Sequence, residues 1–193
     1  MPNHLRDVDA QQEIRTARQD ESAASDVGKA PEDRANALIS AALHRSHAAE
    51  RLDRFDDEPC KAAEEYAQAS DDSARGADLR LETGDRNGAY RARESAAEYA
   101  ELAAIAAERC ADQLIAKARP GMARRYLSIA NRCWIRVWHF YDRVRRFWVV
   151  RKIKAWEEGS PDSETWRRNE DYARKKAFEG ERGAERTRER LQD

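Results

Sequence analysis

The sequence predicts an all-α protein: an antiparallel helical bundle or short α-solenoid of four to five helices, one of them long, aromatic and basic. Two observations carry this. Ala occurs 35 times in 193 residues, whereas Gly (8) and Pro (5) are scarce, which disfavours β-sandwiches, Gly-rich phosphate loops and long flexible linkers. Those few breakers also stand between stretches whose small and apolar residues recur every three or four positions. Leu, Ile, Val and Phe together number only 27, a fraction that would suggest disorder at high net charge. The formal net charge is −1, so a thinly stabilised helical domain is expected instead.

Residues 1–30 are polar, with Leu5, Val8 and Ile14 too scattered for a stripe, and are expected to form a mobile arm. An antiparallel helical domain is expected over 31–158. Pro31 with Glu32 and Asp33 starts a helix, because Pro fits the first turn and carboxylates suit its positive end. That helix should run to about Phe55. Pro59 opens the next, which ends at Thr83-Gly84-Asp85 with Gly84 as a left-handed cap. A third runs from about Asn87 to Ala118 on the stripe Ala92, Ala96, Tyr99, Ala103, Ala106, Cys110, until Arg119-Pro120-Gly121. A fourth spans about Met122 to Trp156. Ser160 and Pro161 then start a C-terminal helix, which Gly180 ends before a charged tail, so that 159–193 form a helix and tail.

The net charge conceals a division. Residues 119–154 hold eleven basic side chains and one acid, Asp142. Residues 1–118 hold sixteen basic and twenty-five acidic ones. On a helical wheel Leu127, Trp134, Tyr141 and Trp148 belong to an unbroken three-four stripe, with Trp138 flanking it. Arg125, Arg132, Arg136, Arg143 and Arg146 take the opposite face, with His139 among them. The stripe is therefore a core or a partner groove, and the Arg face an interaction surface unless the acidic helices neutralise it. Beyond Val150 the pattern breaks, since Arg151 and Lys152 would point into the stripe.

A displacement of 33 residues pairs Glu65, Tyr66 and Ala67 with Glu98, Tyr99 and Ala100. It also pairs Arg86, Gly88, Arg91 and Ser95 with Arg119, Gly121, Arg124 and Ser128. Within Leu81–Ala96, with Gly84-Asp85 at a turn and Ala89 and Ala96 at small-residue positions, the chain resembles a tetratricopeptide-like helical repeat. The resemblance covers residues 58–133 at most, and Arg93 to Lys117 offers no turn between successive repeats. It implies a protein-binding scaffold.

Catalytic signatures are not found: there is no nucleophile elbow, Walker loop or dinucleotide fingerprint, so no enzyme, cofactor or small-molecule substrate is expected. His44, His47 and Glu50 share a helix face but lack further ligands, so no metal is expected. Trp166 and Glu170 show a W-x-x-x-E spacing of little specificity. Cys60, Cys110 and Cys133 are odd in number and far apart, and are expected to be reduced core thiols of a cytoplasmic protein. The expected role is a non-catalytic interaction module whose Arg face meets acidic protein partners or supports self-association. Sequence-nonspecific nucleic-acid binding is the alternative. Attachment to a membrane surface is less favoured, because it would expose the Trp stripe.

Overall fold

The computed structural model describes residues 3–54, 57–158 and 163–192, and every regular element among them is helical. Six helices follow one another: α1 (Asn3–Ala24), α2 (Pro31–Arg54), α3 (Pro59–Glu82), α4 (Arg86–Ala116), α5 (Pro120–Glu157) and α6 (Ser163–Gln192). The expected helix end at Phe55 and the Ser160-Pro161 start lie outside the described residues, as do the side chains of Leu5 and Val8.

Local chemistry sets the boundaries. Pro31, Pro59 and Pro120 each open a helix, where a missing N–H costs nothing. Between α3 and α4, Asp85 N–H donates to Arg80 O and Gly84 N–H to Leu81 O, and Gly84 takes the φ of +82° that this double bond needs. Asp85 then caps α4, its Oδ1 accepting from Gly88 N–H at 2.8 Å. That bond, with the Arg80 guanidinium beside it, holds the Asp85 carboxyl below its usual range.

Close contacts run almost wholly between helices adjacent in the chain. Short connections make these neighbours antiparallel, and side chains bridge helices two apart in parallel register. Arg109 reaches from α4 to Asp53 at the end of α2. On α3, Glu64 accepts from Arg125 and Asp71 pairs with Arg136 of α5. On α4, Glu101, Glu108 and Asp112 meet Lys176, Arg186 and Arg190 of α6 in order.

The core follows composition. Through α2, α3 and α4 it is largely Ala, which lets backbones approach so closely that Ser70 and Ser73 of α3 donate to Ala96 O and Ala92 O of α4. The large side chains concentrate on α5, where Leu127, Trp134, Val137 and Tyr141 are buried. Each removes far more apolar area from water than an Ala does, at about 25 cal/mol per Å².

Three expectations are corrected. Residues 1–30 are not merely an arm: α1 docks on α2 through buried Ala10, Ile14, Ala17 and Ala24. Gly180 does not end the last helix. It is buried inside α6, which continues to Gln192 with Ala184 and Thr187 also buried, so the helices number six rather than four to five. The cysteines are not all free: Cys60 and Cys110 form a disulfide between α3 and α4, and only Cys133 remains a thiol. Fifty residues separate that pair in the chain, and the helical hairpin brings its two ends together.

Candidate interaction groove

The sequence singled out two faces of α5, and the structure assigns them different work. Leu127, Trp134 and Tyr141 are core. Trp134 shows how tightly this core is built: its indole N–H donates to Glu108 Oε1 at 2.6 Å, and Glu108 also accepts from Arg186 of α6. Gly183 of α6 lies flat against the indole, so that a Cβ there would come within 2.4 Å of the ring. Trp138 and Trp148 are partly buried against the same core, and Trp148 stacks on Trp166 of α6 with ring centroids 5.1 Å apart.

Beyond Val150 the stripe does not fail as expected. Lys152 turns inward to an ion pair with Glu170 of α6, and Ala155 is buried one turn further on. This pair, together with Arg174, holds the nearly inaccessible Glu170 carboxylate below its usual pKa. Trp166 and Glu170, the W-x-x-x-E pair, thus both face α5.

The Arg face divides. Arg125 donates to Glu64 at 2.9 Å, and Arg136 reaches both Asp71 and Ser70 Oγ at 2.6 Å. Ser70 passes its own hydrogen to Ala96 O, so Arg136 closes a chain across α5, α3 and α4. Arg146 pairs with Asp142 one turn back. Arg132, Arg143 and His139 are exposed, and among the described residues none has a carboxylate partner. His139 lies stacked on the Trp138 indole.

These unpaired groups line a groove of about 1060 Å³ between the first turns of α4 and the middle of α5. Its α5 wall carries Arg132, Arg136, His139, Arg143 and Arg151. Its α4 wall carries Arg86 and Arg93. The floor is apolar: Tyr90, Ile135, Phe140, Val144, Phe147 and Trp148, with Tyr90 and Phe140 in contact at 6.1 Å across the two helices. Among the described residues no carboxylate lines it. Arg93 does reach exposed Asp78 outside, whereas Arg86 and Arg151 have no acidic partner among the described residues. Partial burial, with Glu94 nearby, pushes the Tyr90 phenol up and keeps it neutral.

The wheel of α5 alone placed aromatic and basic side chains on opposite faces. In the groove they interleave: Phe140 and Phe147 stand among Arg136, Arg143 and Arg151 of the same helix, and α4 adds Tyr90 between Arg86 and Arg93. Arg86, Tyr90 and Arg93 were absent from the predicted face, yet their spacing of four and three puts them on one side of α4. Arg151, expected to point into the apolar stripe, lines the groove instead, and Phe140 and Phe147 lie beside that stripe.

Of the residues that share the His44 face, His44 Nδ1 lies 2.6 Å from Glu13 of α1 and Glu50 pairs with Arg54. No group of three or more His, Cys, Asp or Glu side chains among the described residues could hold a metal ion. No described helix is long and apolar enough to cross a membrane. Comparison with protein-family models, curated proteins and solved structures finds no match.

Proposed function

We propose that the protein is a non-catalytic interaction module, a short α-solenoid whose groove between α4 and α5 receives an acidic segment of a protein partner. One observation carries the reading: an apolar floor walled on both sides by guanidinium groups, four of which lack an acidic partner among the described residues and none of which faces a carboxylate within the groove. The chain-neighbour contacts favour the solenoid, since each helix is supported by those before and after it and a lateral groove stays open. The tetratricopeptide-like resemblance of residues 58–133 implies the same scaffold role. Self-association through the groove is less favoured, because the two walls are of one sign. The Cys60–Cys110 bond weighs for a compartment in which disulfides persist and against the expected cytoplasmic one.

The test uses exposed, unpaired residues. Arg132→Glu with Arg143→Glu is expected to weaken binding of a fluorescent Glu- and Leu-containing peptide by about tenfold, while circular dichroism and melting stay unchanged. Equal binding by parent and variant would refute the groove as the contact surface. Nucleic-acid binding is favoured by the interleaved Tyr90, Phe140 and Phe147. It is tested by electrophoretic shift of DNA and RNA at about 50 mM salt, where several phosphate contacts bind strongly; an unshifted band excludes it.

A further inference from the structure

We propose that the groove's occupant is an amphipathic α-helix of about four turns with carboxylates on both edges of its apolar stripe. The inference rests on the acidic-partner reading above and adds the partner's conformation and charge pattern.

The backbone chemistry of the walls comes first. Both are helices, α4 and α5, whose N–H and C=O groups beyond the first turn are spent within the helix, and in the first turn of α4 Asp85 takes the Gly88 N–H. An extended peptide laid on Tyr90, Phe140 and Phe147 would have no sheet edge to pair with, and its backbone would lie unsatisfied on an apolar floor. A helix satisfies its own backbone and can present one greasy face. Ridge-into-groove contact with α5 is then the ordinary geometry of helices in contact.

The second argument is charge. A one-edged acidic strand would meet one wall only. Here basic groups rise on both sides of the floor. Arg86 and Arg93 stand seven residues apart on α4, and Arg136 and Arg143 seven apart on α5. Seven residues is two helical turns, about 10.5 Å, so carboxylates seven apart on each edge of a partner helix match both walls.

The third is length. From Ile135 to Trp148 the apolar side chains that α5 gives the floor span fourteen residues, about 20 Å, which fits about four turns of a partner.

Single-stranded nucleic acid fits the same surface less well. Stacking needs free ring faces, yet one face of Trp148 lies on Trp166 and the Arg151 guanidinium sits 5.3 Å from the Phe147 centroid.

The experiment measures fluorescence anisotropy on the full chain with four probes. The first is an eighteen-residue peptide with a Leu stripe and Glu on both edges; the second has the same composition with two central Pro. The third replaces Glu by Lys, and the fourth is an oligothymidylate of about the same length. The helical acidic peptide is expected to bind about tenfold tighter than the Pro version, to gain helicity on binding, and to weaken between about 50 and 300 mM salt. Arg86→Glu with Arg143→Glu, one change on each wall, should lower its affinity about tenfold and raise that of the Lys peptide. Equal binding of the helical and Pro peptides overturns the helical occupant and leaves the acidic-partner reading standing. If neither acidic peptide binds, or the oligothymidylate binds tighter than both, the acidic-partner reading falls as well.

Discussion

Arg45 holds the N-terminal half together by ion pairing rather than by packing alone. Its guanidinium, almost inaccessible, donates to Glu21 of α1 and Glu65 of α3 at 2.7 Å each, and to Asp72 of α3 at 3.2 Å. Three carboxylates thus share one cation. Asp72 is fully buried, and burial, with Glu21 nearby, pushes its pKa to about 6 against the pull of Gln68 and Arg45. A pKa raised above the unfolded value of 3.8 means that protonation favours the folded state. The stabilisation is complete below about pH 4 and disappears as pH rises through about 6, so the protein is expected to melt higher at pH 5 than at pH 7. Asp72→Asn should remove that part of the slope, and an unchanged slope in melting curves would show that Asp72 is ionised at both pH values. Arg45→Met, by contrast, strands the carboxylates and is expected to cost about 3–5 kcal/mol by urea denaturation. The sequence drew attention to His44 and His47 for their metal-like spacing and passed over the Arg between them, because nothing local marks a cation whose partners lie 20 to 27 residues away.

At the scale of elements, the Pro and Gly breakers located α2 to α5 closely, since helix ends are fixed by chemistry within a few residues. The outer helices are less legible for a physical reason: their contact stripes are made largely of small side chains, whose recurrence carries little hydropathy against a charged background. On α6, Ala173, Ala177, Gly180, Ala184 and Thr187 recur at intervals of four and three, a heptad-like seam in which backbone proximity replaces side-chain bulk. Gly180 meets the Trp138 backbone and Gly183 the Trp134 ring. Gly183→Leu is therefore expected to push α6 away from Trp134 and cost about 1–3 kcal/mol by overpacking. Trp134 would then be wetted, and tryptophan emission should shift red and quench more readily with acrylamide. A variant with parental emission and stability would mean that α6 does not seat on this ring. The groove was half legible for a related reason. One helix wheel showed its α5 wall, but no single-helix pattern shows which neighbour stands opposite.

Across the whole molecule, the charge division seen in the sequence becomes partial neutralisation: Arg125 and Arg136 of the basic helix meet Glu64 and Asp71 of α3, while the groove side stays positive. Because contacts run between chain neighbours, stability is close to a sum of neighbour interfaces, and the outermost helices have one each. The Cys60–Cys110 bond sits in the middle pair and closes a span of 50 residues, for which chain entropy gives about 4 kcal/mol and typical removals about 2–4. Neither cysteine could be assigned from the sequence, since pairing depended on how α3 folds back along α4. Cys60→Ser is expected to lower the urea midpoint and to remove the extra amide-exchange protection of α3 and α4, leaving the protection of α1 and α6 much less changed. Intact mass of the alkylated, unreduced chain should show one modified thiol; three would deny the bond. Cys110 and Tyr90 are twenty residues apart on α4, about 30 Å, so the bond braces the end of the hairpin away from the groove. Reduction should therefore loosen the scaffold while leaving acidic-peptide affinity within about twofold of the oxidised protein. A larger loss of affinity, with the chain still folded, would place the bond in control of the groove and not of the fold alone.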